Sequence, residues 1–529
     1  MATETPVNHW VIAPIVLPLL AGGLLLLLEK ADSRWVRPVS LAAVVALLGI
    51  AGQLLQQADS GTVQAYLLGN WKAPFGIALA LDRLSSLMLL LTAVLAVAAL
   101  LYACGGSTGD GDRRGAHFHA LFHFQLMGVN GAFLTADLFN LFVFFEVLLA
   151  ASYGLLLHGA SSERVKASLH YVVFNLTGSA LFLIAVSLLY AVTGTLNMAD
   201  LAAKLPQVPP QDVKLAQAAG LMLAVVFAIK AALLPLYFWL PATYAAAPAA
   251  VACLFAIMTK VGIYCLARAS TLLFGDGQGG VSQLLAPLLP WVGLLTLVLA
   301  AIGALAARRL RVMVAYLVVG SAGTLLLALG LGTQAALTAG LFYLVNSTWV
   351  AGLWFLLADR IAWARGGDDA LTPRTLQHGW KGLGATFFVA AVAVAGVPPL
   401  AGFMGKALLL QAAGATSMAG WVVSLVLASS LLLMVALGRA GSTLFWKPAG
   451  APAPLRMDPP DASQLLALLG LLGAVLACAV AAQPLARYAE ATAEQMLDRS
   501  AYLQAVLGAE PVPPAHDVRK EMRERGELK

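Results

Sequence analysis

Four ionisable residues stand in stretches of sequence that are otherwise apolar: Glu146, Lys230, Lys260 and Lys406. A charge at the centre of a bilayer costs about 2.5–3.5 kcal/mol on insertion scales, so an ionisable residue at that depth indicates a function. Desolvation makes a lysine release its proton more readily, and such groups bridged by water can pass protons along a chain. The four residues therefore predict a proton relay. A structural ion pair of Glu146 with Lys230 is the alternative, but it leaves two lysines without an acidic partner.

The composition places these residues in a membrane. Of the 529 residues, 60% are hydrophobic and only 11% are charged, which excludes a soluble globule and a disordered chain. Because about 20 apolar residues span the hydrocarbon as a helix, the sequence predicts an all-α polytopic membrane protein with about 14 transmembrane helices. The four cysteines lack C-x-x-C spacing, so they predict no iron–sulfur, zinc or disulfide framework. No cofactor or metal is expected.

The basic residues predict the orientation of the helices. With 14 spans, most loop lysines and arginines fall in the odd-numbered loops, which the positive-inside rule assigns to the cytoplasm. Both termini are then periplasmic, in a bacterial inner membrane. The excess of basic charge is explained by this topology, so it does not indicate nucleic-acid binding.

Prolines interrupt two strongly hydrophobic segments, the seventh at Pro235 and the twelfth at Pro398 and Pro399. A proline frees backbone groups that lipid cannot satisfy, and such breaks are tolerated where they line a cavity or are buried in protein. Each break lies close to a lysine, and paired interrupted helices in two halves of a chain are typical of inverted-repeat transporters. The predicted division is helices 1–3 in 1–110, a five-helix repeat (helices 4–8) in 111–270, a second (helices 9–13) in 271–445, and helix 14 with a charged tail in 446–529.

Other polar residues near these segments have lesser predicted roles. Asp137 precedes Glu146 by about 13 Å of helix, which places it near the membrane interface, where it is a candidate relay or water-binding residue. His119 and His123 could share one helix face, but with no third ligand type nearby they are interpreted as interfacial polar residues. Residues 1–110 are expected to contain no buried charge and to serve packing only.

The sequence resembles the antiporter-like subunits shared by respiratory complex I and the multisubunit Mrp (Pha/Mnh) sodium–proton antiporters, and it is most similar to the D-type subunits of the Mrp system. The resemblance covers nearly the whole chain. The stretches that carry it are HFQLMGVNGAFLTADLFNLFVFFEV from His123, FAIKAALLPLYFWLP from Phe227, APAAV with LFAIMTKVGIY from Ala247, and GVPPLAGFMGK from Gly396.

The resemblance implies a role for each buried charge. Glu146 matches the glutamate of the family's fifth helix, Lys230 the lysine of the broken seventh, Lys260 the lysine of the eighth and Lys406 the ionisable residue of the broken twelfth. The implied protein is part of a transporter, not an enzyme. It translocates protons in an Na+ or K+/proton antiporter and works only with a large A-type partner and small hydrophobic subunits.

One position departs from the family pattern. Relatives usually carry a histidine in the eleventh helix, where this sequence has LFYLVNSTW with Asn346. Asparagine hydrogen-bonds water but does not take up a proton at neutral pH, so the relay between Lys260 and Lys406 either runs through water or has lost part of its activity.

Two alternative functions stay open from the sequence. A membrane-arm component of a complex I-like or membrane-bound hydrogenase-like redox enzyme would use the same relay, although nothing in the chain is expected to bind NADH, flavin or a cluster. A scaffold with inert buried charges is the other alternative.

Overall fold

The computed structural model describes residues 8–31, 33–105, 111–159, 161–275, 279–376, 382–447 and 461–511. Helices form most of this part of the chain. The first group is α1 (Ala13–Lys30), α2 (Val36–Ala58), α3 (Arg83–Ala103), α4 (Phe118–Leu134), α5 (Leu138–Leu157), α6 (Ser162–Thr193), α7 (Met198–Lys204), α8 (Val213–Ala231), α9 (Trp239–Ala246), α10 (Ala249–Phe255) and α11 (Met258–Arg268). The second group is α12 (Leu289–Ala306), α13 (Leu310–Gly330), α14 (Gln334–Ala364), α15 (Leu383–Ala395), α16 (Ala401–Ala413), α17 (Ala419–Gly441), α18 (Ala462–Val480), α19 (Ala482–Leu497) and α20 (Ser500–Leu507).

Short elements complete the described part of the fold. The antiparallel strands β1 (Gln64–Leu67) and β2 (Ala78–Leu81) form a hairpin between α2 and α3, with Gln64 opposite Leu81. The π-helical turns Ala269–Leu273 and Ser442–Trp446 continue α11 and α17. The 3-10 turns are His9–Val11, Leu68–Asn70, Asp112–Arg114 and Leu205–Gln207.

The described residues include 12 helices that are long and apolar enough to cross a membrane. This confirms the all-α membrane fold. The count joins α10, α11 and the π turn after them into one helix, and it leaves out α4 and the short helices α15 and α16. The total of 14 therefore stays a prediction.

Burial places the helix that carries Lys260 at the centre of the bundle. The apolar stretch of Ala249–Leu273 is 100% buried and those of α13 and α14 are 89% buried, whereas α1 and α2 reach 33%. Lys260 of α11 thus lies among the most deeply buried helices. The outer helices supply apolar surface that suits lipid or neighbouring subunits.

The helices around both predicted breaks are interrupted. Helix α8 ends at Ala231 and α9 begins at Trp239, while α15 ends at Ala395 and α16 begins at Ala401. In both cases the residue after the helix has a left-handed backbone: φ is +53° at Ala232 and +77° at Gly396. The predicted effect of the prolines on these segments is confirmed.

The N-terminal region does contain buried charge, so the expectation that residues 1–110 contain none is wrong. Asp82 caps α3 and forms an ion pair of 2.7 Å with Arg268 at the end of α11, with both side chains buried. The sequence around Asp82 does not indicate that its partner is Arg268, because the two residues are far apart in the chain. His119 and His123, expected at the interface, are also buried.

The first part of the C-terminal tail packs onto this chain. Tyr488 of α19 donates to the carbonyl of Arg83 over 2.9 Å, and the backbone N–H of Arg83 donates to Gln495 Oε1 over 3.0 Å. In α20, the ring of Tyr502 lies 5.3 Å from the guanidinium of Arg268. The charged tail from residue 512 onward lies outside the described residues.

Candidate functional site: a row of buried lysines

Glu146 lies on α5 and is only partly buried. Ser179 of α6 donates a short hydrogen bond to Glu146 Oε1. Within the described part of the chain no ion pair joins Glu146 to Lys230, although the ring of the neighbouring Phe145 lies 5.5 Å from Lys230 Nζ. The direct ion pair that is the alternative to the relay is therefore not formed between these two described residues.

Lys230 is the last residue but one of α8 and lies just before the break. Its Nζ donates to Asn175 Oδ1 of α6 over 3.2 Å. A small cavity is lined by Lys230, Asn175 and Phe145 and also by Met258 and Val261. The last two residues belong to α11, so the cavity lies between Lys230 and the helix that carries Lys260.

Lys260 is completely buried on α11. Its Nζ donates to Ser321 Oγ of α13 over 2.7 Å and to Thr259 Oγ1 over 3.3 Å. The Ser321 hydroxyl in turn donates to the carbonyl of Val318 over 2.7 Å. The ammonium is thus held by hydroxyl groups, with no carboxylate among its described hydrogen-bond partners.

A second cavity lies next to Ser321, which is a hydrogen-bond partner of Lys260. Ser321, Asn346 and Ser347 line it together with Val394, and it can hold a water molecule between polar groups. Asn346 is 1% exposed, and its Oδ1 has no hydrogen-bond partner among the described residues. Asn346, which replaces the family histidine, therefore lies between the polar partners of Lys260 and Lys406, and no described donor bonds its Oδ1.

Lys406 lies near the same cavity, on α16. Its Nζ donates to the carbonyls of Ala395 over 2.9 Å and Val394 over 3.4 Å, and to Ser430 Oγ of α17 over 3.1 Å. Ala395 is the last residue of α15, so Lys406 satisfies carbonyls that the broken helix leaves free. Val394 also lines the cavity of Asn346, so Lys406 lies next to that cavity.

The first break satisfies its backbone groups with neutral side chains. Trp239 Nε1 donates to the carbonyl of Ile229 over 3.1 Å, and the N–H of Leu234 donates to Thr296 Oγ1 over 3.0 Å. Pro235 lies in this segment, as Pro398 and Pro399 lie in the other. Such satisfaction is what irregular backbone inside a membrane protein requires.

Asp137 lies at the start of α5, where it acts as the helix cap. Its Oδ1 accepts from the N–H of Asn140 over 2.8 Å, and its backbone pairs with Asn197. Burial raises the pKa of Asp137, and hydrogen bonds from the backbone of Asn140 and Phe139 oppose that rise. These contacts explain the residue as a cap; its relay role stays a prediction.

The polar partners of the lysines were missed from the sequence. Asn175, Ser179, Ser321 and Ser430 give no signal, because single serines and asparagines in apolar helices commonly bond their own backbone. A further buried cluster was missed as well. Asp359 of α14 bonds Arg311 and accepts from the hydroxyl of Tyr102 over 2.7 Å, in a part of the helix that its charges alone would assign to a loop.

An apolar helical bundle with two interrupted helices and a row of buried lysines defines the antiporter-like class of membrane proteins. Residues 135–433 match the transmembrane family described as NADH:quinone oxidoreductase/Mrp antiporter. The chain belongs to this family.

Curated relatives match the chain over nearly its whole length. It is 41% identical to the D-type component of a probable K+/H+ antiporter of Rhizobium meliloti (strain 1021), over 95% of this chain and 98% of the relative. It is 37% identical to the D-type component of the Na+/H+ antiporter of Bacillus subtilis (strain 168), over 94% and 99%.

Solved structures match the fold. A chain of the Mrp complex from Dietzia sp. DQ12-45-1b has a TM-score of 0.83 at 27% identity, covering 95% of this chain and all of that one. A chain of the archaeal membrane-bound sulfane sulfur reductase has a TM-score of 0.84 at 27% identity, covering 94% of this chain and all of that one.

Proposed function

We propose that this chain is the D-type component of a multisubunit antiporter that exchanges a monovalent cation, Na+ or K+, for protons. In this role the chain relays protons through Glu146, Lys230, Lys260 and Lys406. The observation that supports this is the set of three buried lysines, each hydrogen-bonded to neutral groups, with one small cavity beside Lys230 and another beside Ser321 and Val394, which bond Lys260 and Lys406. The chain is then part of a transporter, not an enzyme.

The neutral partners suit proton transfer. A buried carboxylate beside each lysine would favour the charged form and hold the proton. Amide, hydroxyl and carbonyl groups hydrogen-bond the ammonium without fixing a countercharge, so a lysine can lose its proton and leave no unpaired acid behind. Asn346 cannot carry the proton itself, but its amide can orient a water between Ser321 and the carbonyl of Val394.

The architecture proposed with this function is a pair of inverted five-helix repeats in 111–270 and 271–445, between helices 1–3 in 1–110 and helix 14 with the tail in 446–529. Both interrupted helices have left-handed caps, and the last helix of each proposed repeat ends in a π turn, which supports the repeat. The orientation proposed is periplasmic termini in a bacterial inner membrane.

The partners proposed are a large A-type chain and small hydrophobic subunits. Glu146 is only partly buried in the isolated chain, and Ser179 is its described hydrogen-bond donor. A charge facing lipid is costly, so cover by a neighbouring protein fits this position.

A membrane-arm component of a redox-driven pump is the second candidate function. It is favoured by the similarity to a chain of the sulfane sulfur reductase, an archaeal respiratory membrane complex. The row of lysines would serve such a pump equally well. Neighbouring genes for small hydrophobic subunits favour the antiporter, and genes for cluster-binding subunits favour the pump.

The test is proton–cation exchange in everted vesicles that carry the whole complex. Addition of Na+ or K+ dissipates a preformed pH gradient if the complex is an antiporter. We expect Glu146→Ala and Lys230→Ala to reduce this response to background while the complex remains assembled. Lys204→Ala, which removes a partly exposed lysine paired with Asp200 on α7, is the matched control and keeps wild-type activity.

Full activity in both alanine variants of an assembled complex contradicts the relay. A wild-type complex that answers neither cation, but acidifies vesicles when an electron donor is supplied, contradicts the antiporter and establishes the redox pump.

A further inference from the structure

A cluster of three metal-ligand side chains lies apart from the row of lysines. Cys104 follows α3, Asp112 begins a 3-10 turn and His119 lies in the first turn of α4. One ligand atom from each lies within 4.8 Å of the others, and Asp112 and His119 are 6% and 4% exposed. A thiol, a carboxylate and an imidazole brought together from three segments form a donor set that zinc accepts.

A hydrogen bond to the second ring nitrogen fixes the orientation of His119. His119 Nδ1 lies 3.0 Å from Ser40 Oγ, and its Nε2 lies 2.9 Å from Asp112 Oδ2. Ser40 also contacts His123 Nε2 over 3.1 Å. A metal-binding histidine usually has its second ring nitrogen hydrogen-bonded in this way, because that bond fixes the tautomer and the ring orientation.

We propose that Cys104, Asp112 and His119 bind one zinc-type divalent ion, with the fourth coordination position left open. Ligand atoms around a tetrahedral zinc ion lie about 3.3–3.8 Å apart, since its bonds are about 2.0–2.3 Å long. His119 Nε2 and Asp112 Oδ2, now 2.9 Å apart, must therefore separate slightly, whereas Cys104 Sγ, which lies within 4.8 Å of both, must approach them by up to about 1 Å. Cys104, the most accessible of the three, lies at the end of α3.

Arg37 is the group that a metal ion must compete with. Its guanidinium forms two hydrogen bonds with Asp112, of 2.6 and 2.5 Å, and its side chain is 33% exposed. It can therefore turn towards solvent when a cation arrives.

Nothing in the sequence marks this site. The ligands come from separate segments and include a single cysteine, so they show none of the spacing that is typical of a zinc motif. The proposed metal site does not depend on the proposed antiport function, because its test measures metal binding and not transport.

The test titrates the full-length chain in detergent, freed of metal by a chelator, with Co2+ and then with Zn2+. We expect one Co2+ per chain, a thiolate-to-cobalt charge-transfer band, and loss of that band when Zn2+ displaces the cobalt. Cys104→Ser removes the band. Loss of an outer-shell partner costs about tenfold or more in metal affinity, so loss of this direct ligand should weaken binding by at least about tenfold. Ser40→Ala weakens it about 10–100-fold, as outer-shell changes do.

Two further variants make the test specific. Arg37→Gln removes the competing cation, so we expect tighter binding. His117→Gln is the matched control: His117 is in the same loop but pairs with Glu29 over 2.9 Å, so binding stays unchanged. Binding of less than one ion by the monodisperse wild-type chain, or an unchanged band in Cys104→Ser, overturns the site.

Discussion

The described partners of the three buried lysines are neutral, and this decides how the lysines can be used. Lys230 bonds an amide, Lys260 two hydroxyls, and Lys406 a hydroxyl and two carbonyls. A buried ion pair adds little to stability, since desolvation offsets the Coulomb gain. A lysine with neutral partners keeps its ability to change charge, which a relay needs and a structural pair does not.

Ser321 is predicted to be essential for the central lysine. A hydrogen bond to a charged group contributes about 1.5–3 kcal/mol, so Ser321→Ala should slow cation-dependent proton exchange about tenfold or more. The measurement is the rate of gradient dissipation in vesicles with equal amounts of assembled complex. Thr348→Val, which removes a hydroxyl bonded to the carbonyl of Leu344 within α14, is the control, and an equal loss in both variants would contradict the prediction.

Gly396 is predicted to be required for the position of Lys406. Its φ is +77°, and an added Cβ would lie 2.7 Å from Lys406 Cδ. Gly396→Ala should therefore abolish exchange and lower stability by about 1–2 kcal/mol or more, since a left-handed backbone strains alanine. Gly332 has a similar φ of +67° with open space around it, so Gly332→Ala should show the strain but keep activity. Thermal unfolding and exchange, measured together, separate the two effects, and equal activity in both variants would refute the role of Gly396.

At the scale of the helices, the breaks are what the sequence predicted best. Proline within an apolar run has one physical meaning, the loss of a backbone donor, and both breaks lie where Pro235 and the Pro398-Pro399 pair indicate. The partners across helices could not be predicted. Whether Ser321 faces Lys260 depends on helix rotation and packing, which an almost uniformly apolar sequence does not encode in its periodicity.

The ends of the helices show the same limit. Apolar length predicts that α14 crosses the membrane, but the helix continues to Ala364 and carries Asp359 and Arg360 inside the protein. From the sequence, charges near a helix end are interpreted as loop residues. Their burial depends on neighbours from distant segments, such as Tyr102 and Gln464.

The Asp82–Arg268 pair is predicted to hold α3, α11 and the tail helix α20 together. Removing one partner of a buried pair costs about 3–5 kcal/mol, because it leaves the other charge uncompensated. Arg268→Gln should lower the thermal midpoint of the detergent-purified chain clearly. Lys204→Gln breaks a partly exposed pair that is worth less than about 1 kcal/mol, so the midpoint should hardly move. Similar midpoints for the two variants would show that the buried pair does not carry this stability.

The orientation of the whole molecule is predicted from its loop charges. Ser60 precedes the β-hairpin in the second loop, and Thr372 follows α14 in a loop rich in arginine; both are exposed. If the termini are periplasmic, a membrane-impermeant maleimide should label Ser60→Cys in intact cells and Thr372→Cys only after lysis. Labelling of the wild-type chain gives the background from its own cysteines. The reverse pattern would show the opposite orientation.

The neutral surroundings of the lysines also have an electrical consequence. Each proton that joins or leaves Lys230, Lys260 or Lys406 changes the charge there by one unit, and the described hydrogen-bond partners carry no opposite charge that would offset it. A membrane voltage acts on such charge with about 2.3 kcal/mol per 100 mV for a charge that crosses the whole membrane. The protonation of these lysines should therefore differ between an energised and a de-energised cell.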